Sequence, residues 1–179
     1  MNKNTKIINL FGGPGAGKST LCYGLVSRLN MIKQETKISA EMAPEYAKEI
    51  VWRGIPTLFD DQLYVFAKQH HRLVSLLGKV QIISTDAPLL NSLIYVNEKY
   101  PSFKPLVFEA FHSMNNINYY LRRVKEYDPN GRNQTEAEAR QYDIKIRKLL
   151  DDNQIQYKEV VGNSEGLEVI VSDILKNNN

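Results

Sequence analysis

The sequence predicts an α/β fold of the P-loop NTPase type, a five-stranded parallel sheet with helices on both faces, from three observations. A strand-like run over residues 5–11 enters a glycine-rich loop and leaves it with helical spacing. Almost wholly apolar runs of strand length recur later in the chain. Between them lie amphipathic stretches with a period near 3.6. A chain of 179 residues that is 42% hydrophobic has the size of one compact domain, 1–179, with a single sizeable core.

The elements follow in order. TKIINLF reads as the first strand, and Leu21, Leu25 and Leu29 recur every fourth residue in the helix after the loop. KISAEM, residues 37–42, is a second short strand. Pro44 then introduces a helix over EYAKEIVWR, residues 45–53, since proline suits a helix start. Residues 60–78 place Leu63, Phe66, Ala67, His70, Leu73 and Leu77 on one helical face and end at Gly78, with Asp60 and Asp61 as charges at the helix start. VQIIS, residues 80–84, has the apolar character of a central parallel strand and runs into Thr85 and Asp86, with a helix predicted over 89–100 and another over 103–114. INYYLRRV, 117–124, is the fourth strand. A long helix follows, with Thr135 and Glu138 spaced as a capping box. QYKEVVG, 156–162, is the fifth strand and 164–176 the closing helix.

The chemistry begins at the loop GGPGAGKST. Gly12, Gly17, Lys18 and Ser19 fit the spacing G-x-x-x-x-G-K-[ST] in the strand-to-helix setting that the motif requires. The whole run Gly12, Gly13, Pro14, Gly15, Ala16, Gly17, Lys18, Ser19 and Thr20 is therefore expected to bind a nucleotide. Backbone N–H groups turn inward around phosphate oxygens, and the helix directs its positive end at the same anion. Lys18 is expected at the β and γ phosphates, with the Ser19 hydroxyl on Mg²⁺.

The destination of the phosphate is read from the remaining acids and bases. Hydrolytic P-loop proteins carry a second carboxylate after the strand-ending Asp, whereas Asp86 is followed by Ala87. Transfer to a hydroxyl needs a carboxylate near the acceptor, an acid for the metal and cations over the transferred group. Glu41 and Glu45 lie at the end of the second strand and just past it, at the carboxyl edge of the sheet, and either suits the base or a substrate contact. Asp86 ends the third strand at that edge, where it would join Ser19 on the metal or act in catalysis. Arg122, Arg123, Lys125 and Arg132 surround a Pro-Asn-Gly turn and predict an Arg-rich lid over about 124–136, with Arg122 and Arg132 assigned to catalysis and Arg123 to substrate. Gln62, Gln69 and Arg72 are expected on the polar rim of their helix, Gln69 and Arg72 reading a base or carboxamide edge. A nucleotide-dependent switch that transfers phosphate to no acceptor is the alternative.

Composition narrows the classes further. One cysteine, Cys22, excludes a disulfide framework and any multi-Cys zinc site and fits a small core residue. His70, His71 and His112 have poor spacing for a metal and read as structural. The net charge of +3 suits a polyanionic ligand without demonstrating nucleic-acid binding. The opening MNKNTKIINLF is neither a signal peptide nor a membrane span, so a cytoplasmic location is expected.

The order GGPGAGKS, PEYAKE, DQLYVFAKQHHR, ISTD and then an Arg-rich segment before a long helix resembles the ribosylnicotinamide kinase domain of bacterial NAD-regulator proteins and its phage-encoded P-loop relatives. The resemblance covers nearly the whole chain. It implies a nucleoside-kinase-like fold, ATP with Mg²⁺ as cofactors, Glu45 near the acceptor and Asp86 close to the phosphates. The segment RRVKEYDPNGRNQTEAEA is most similar to phage proteins, some of which phosphorylate hydroxymethyl groups of modified pyrimidines in DNA; the location would then be the host cytoplasm. The chain departs from the ribosylnicotinamide kinases in its GGPGAGKS loop, where they have a Ser-rich one, and in Ser84, where they carry a further Asp. The adenylyltransferase and DNA-binding domains of the bacterial regulators have no counterpart in the sequence. The expected function is an ATP-dependent kinase acting on a nucleoside- or nucleotide-like hydroxyl. Expected partners are a nucleoside-like small molecule or modified DNA as acceptor and a second copy of the chain in a homodimer, with no membrane.

Overall fold

A computed structural model describes residues 5–95, 100–124 and 135–177. Five strands, β1 (Lys6–Phe11), β2 (Ala40–Ala43), β3 (Ile82–Thr85), β4 (Asn115–Arg122) and β5 (Lys158–Val161), form one parallel sheet in the order β2-β3-β1-β4-β5. Because β1 lies between β3 and β4, connections leave it towards both sides of the sheet. The crevice at its carboxyl end is the place where open α/β sheets bind ligands.

Alternation along the strands builds two cores. Ile8, Leu10, Tyr119 and Leu121 face α1 (Lys18–Met31) and α8 (Ser164–Lys176), where Leu21, Cys22, Leu25 and Leu29 meet Ile170 and Ile174. Ile7, Phe11, Ile83 and Tyr120 face the opposite layer. That layer comprises α4 (Gln62–Val74), α6 (Phe103–His112) and α7 (Glu136–Asp152), which contribute Phe66, Val107, Phe111, Ile146 and Leu150. Burying a Leu side chain such as Leu25 stabilises the fold by about 1.5–3 kcal/mol relative to leaving it exposed.

Local chemistry shifts several expected boundaries. Lys37 takes a left-handed φ of 59° and closes the short α2 (Lys33–Thr36), so β2 starts at Ala40 and not at residue 37. Asp61 caps α4 by accepting from the Tyr64 N–H at 3.0 Å, which places the helix start at Gln62 after a 3-10 turn, Pro56–Asp60. That helix ends at Val74, and the expected continuation to Gly78 is a series of turns; Ala67, expected on its buried face, is exposed. The helix expected over 89–100 does not begin at 89. Extended Pro88 leads into a 3-10 turn, Leu89–Asn91, followed by α5 (Ser92–Tyr95). β4 starts two residues earlier than expected because Asn9 donates its side-chain amide to Asn116 at 2.8 Å and Asn118 at 3.0 Å, which satisfies polar groups on a strand face. It ends at Arg122, and β5 is confined to Lys158–Val161. Thr135 and Glu138 form the expected capping box at the start of α7. Cys22 is buried, His70 stacks on Phe66 and His112 on Phe108. The expected lid over 124–136, with Lys125 and Arg132, lies almost entirely outside the described residues.

Candidate nucleotide and phosphoryl-transfer site

The phosphate loop joins β1 to α1. Gly17, with φ +96°, occupies the left-handed region at the N-cap of α1, a conformation that a β-carbon disfavours. α4, α7 and α8 have side-chain caps from Asp61, Thr135 and Asn163, whereas α1 has none and carries no acid in its first turn. Its first N–H groups therefore present partial positive charge that no side-chain cap satisfies. Lys18 turns back over the loop, donating from Nζ to the Gly12 carbonyl at 2.7 Å and the Gly13 carbonyl at 2.9 Å.

Asp86 ties the loop to the other side of the crevice. Its Oδ2 accepts from Ser19 Oγ at 2.5 Å, and its Oδ1 accepts from the Glu45 N–H at 3.0 Å. One buried carboxylate thus spans the end of β3, the first turn of α1 and the entry to α3 (Tyr46–Arg53). Burial lowers the pKa of Lys18 and raises that of Glu45, and in each case the opposite charge of the other resists the shift. Lys18, Ser19, Glu45 and Asp86 are therefore one electrostatic unit. Among the described residues no group of three or more His, Cys, Asp or Glu side chains stands ready to hold a metal alone. The hard oxygens of Ser19 and Asp86 fit Mg²⁺, which commonly takes one or two protein ligands and completes its shell with phosphate oxygens and water.

Other expected site residues fall differently. Glu41 sits within edge strand β2, in register with Ile83 and exposed, so Glu45 is the acid joined to Asp86. Gln69 is not on the helix rim. It shares the inner face of α4 with Phe66 and Leu73, is 5% exposed, and accepts the Tyr46 N–H at 2.9 Å. Arg72 donates to the Pro44 carbonyl at 3.0 Å, pairs with Glu49 and lies over the Tyr46 ring. Both side chains brace the turn that carries Glu45. Arg122 is exposed and pairs with Glu159 of β5 at 3.5 Å, while Arg123 is buried and pairs with Asp143 of α7. The expected Arg132 lies outside the described residues.

Three residues had no motif to announce them. The Asp143 carboxylate accepts the Gly13 N–H at 2.6 Å, inside the loop itself. Tyr95 and Tyr142 form an aromatic pair with ring centroids 5.3 Å apart, and Tyr95 keeps 47% of its surface exposed. Helical spacing alone would assign all three to a mixed surface. An open cleft of about 670 Å³ lies elsewhere, beside Asn115–Asn118 at the amino end of β4.

A family model described as an AAA domain matches residues 7–166, which spans the phosphate loop, the sheet and the start of α8. The chain belongs to the AAA domain family. Two solved structures share the fold of this AAA domain. NadR protein in complex with NR superposes with a TM-score of 0.66 at 18% identity, over 88% of this chain and 45% of that one. NadR protein in complex with NAD and AMP-PNP superposes with a TM-score of 0.70 at 14% identity, over 98% of this chain and 50% of that one. The AAA domain therefore spans about half the length of the NadR chains that it matches. No curated protein matches it by sequence. Its fold, a phosphate loop at the carboxyl edge of a parallel sheet, is the one these NadR structures share. Among the described residues no helix is long and apolar enough to cross a membrane.

Proposed function

We propose that this AAA domain is an ATP- and Mg²⁺-dependent phosphotransferase that moves the γ-phosphoryl group to a hydroxyl of a nucleoside- or nucleotide-like acceptor. The observation that carries the reading is the Asp86 carboxylate shared between Ser19 of the phosphate loop and the backbone of Glu45. It joins the donor side of the crevice to a carboxylate suited to an acceptor. The NadR complex with AMP-PNP lends support to a triphosphate in this fold.

In this reading the loop N–H groups and Lys18 hold the β and γ phosphates, and Ser19 and Asp86 hold Mg²⁺, which supplies charge neutralisation of the phosphates. Glu45 accepts the proton of the acceptor hydroxyl, and Arg123 offsets charge on the transferring group. Tyr95 and Tyr142 offer an apolar, aromatic flank near Glu45, suited to a planar ring. Ala87 after Asp86 leaves out the usual water-positioning acid, which favours a hydroxyl over water as acceptor.

Substitution of Lys18 tests the assignment. Lys18→Ala is expected to abolish transfer from γ-labelled ATP while the far-ultraviolet circular dichroism stays that of the wild type, because Nζ donates to loop carbonyls and the side chain belongs to neither hydrophobic core. Unchanged turnover in a folded Lys18→Ala protein contradicts it.

A further inference from the structure

We propose that Asp143 is a positioning residue of the phosphate site: it fastens α7 to the phosphate loop and holds Arg123 neutralised and aimed at the bound polyphosphate. The inference rests on the nucleotide-binding part of the reading above and not on the identity of the acceptor.

Both oxygens of Asp143 are engaged. Oδ1 accepts the Gly13 N–H at 2.6 Å, while Oδ2 accepts from Arg123 Nη2 at 3.0 Å and Nε at 3.2 Å. The side chains are 8% (Arg123) and 19% (Asp143) exposed, dry enough that removing one partner strands the other charge. The fork toward Asp143 uses two of the three guanidinium nitrogens. Nη1 is buried and has no hydrogen-bond partner among the described residues. A buried, unpaired guanidinium N–H is costly, and phosphate oxygen is the acceptor it matches best. Arg123 directly follows β4 at the carboxyl edge of the sheet, and Asp143 meets the Gly13 N–H inside the phosphate loop. The Arg123–Asp143 pair therefore lies at the phosphate-loop end of the crevice, and among the described residues Nη1 is its unpaired donor.

This arrangement has a consequence that an ordinary structural ion pair lacks. A carboxylate beside a polyphosphate is tolerated only while Arg123 cancels it, so the effect of losing the Asp143 charge depends on whether Arg123 is present. With Arg123 in place, losing the charge releases the guanidinium from its aim. Without Arg123, the same loss removes a repulsion.

The test is a double-mutant cycle on binding of a fluorescent ATP analogue with Mg²⁺ and no acceptor, using the full chain. Asp143→Asn keeps an oxygen for the Gly13 N–H and removes the charge. It is expected to weaken binding about 3- to 10-fold in the wild-type background, yet to strengthen it about 3-fold or more in the Arg123→Ala background. If Arg123→Ala does not fold, Arg123→Gln takes its place and the same reversal is required. Weakening in both backgrounds, or no effect in either, overturns the proposal. Failure of the wild type to bind the analogue overturns the nucleotide reading beneath it, a result distinct from variants that bind without reversal.

Discussion

Glu45 is held where burial opposes its charge, and its pH behaviour follows from that. Its raised pKa means that the folded chain grips this proton more tightly than the unfolded chain does. Ionisation of Glu45 therefore opposes folding as pH rises through the ordinary glutamate range, the reverse of the usual salt-bridged carboxylate. For a base in transfer, the rate increases as the proton leaves. The acid limb of the pH–rate profile is thus expected above the ordinary glutamate pKa of about 4.3. Glu45→Gln is expected to slow transfer by about 10²- to 10⁴-fold, to remove that limb and to leave ATP affinity nearly unchanged. A limb that persists in Glu45→Gln contradicts the assignment. The sequence could not separate Glu45 from Glu41, since both lie near the end of a short strand. The distinction is one of register: β2 ends at Ala43, which leaves Glu41 within the edge strand and delivers Glu45 to Asp86. Lys18 and Ser19 stand out in the sequence by the spacing of the loop motif, and Asp86 by its place at the end of an apolar strand. Asp143 was not, because its partner Gly13 lies 130 residues away.

Among the elements, β5 and its exit set the back of the phosphate loop. Gly162 donates its N–H to the Arg122 carbonyl at 2.9 Å, and a β-carbon there would lie 2.0 Å from the Ala16 carbonyl oxygen. Gly162→Ala is therefore expected to force the loop and β5 apart. Overpacking of this kind costs about 1–3 kcal/mol, and the variant should show both a lower unfolding midpoint in urea and weaker nucleotide binding. A variant as stable as the wild type, with unchanged binding, would mean that the contact yields freely. Elements with a local cause were read well from sequence: α1 from its leucine spacing and α7 from its capping box. Those with a tertiary cause were not. Gln69 looked like a rim residue because polar side chains favour rims, yet it turns inward to satisfy the Tyr46 N–H. The apolar run after Pro88 resembled one helix, but it folds as a 3-10 turn before α5 because Leu89 and Leu90 are drawn into the core.

For the whole molecule, the alternation of strands and helices announced a parallel sheet, but not the order in which the strands lie. Strand order depends on long-range pairing, such as Phe11 with Tyr120 and Asn9 with Thr85, which no local pattern encodes. That order places β1 between β3 and β4, so that one crevice collects the loop, Asp86, Glu45 and Arg123 from four separate parts of the chain. A phosphoryl group held there is expected to leave for a hydroxyl. This transfer is tested most directly by incubating the protein with Mg²⁺ and γ-labelled ATP in parallel with nucleosides, nucleotides and hydroxymethylated DNA, and following the label. Label is expected on a nucleoside- or nucleotide-like acceptor with the wild type and on none with Lys18→Ala, with slow release of inorganic phosphate when no acceptor is present. Rapid phosphate release without an acceptor, with every member of the panel unlabelled, would contradict that transfer.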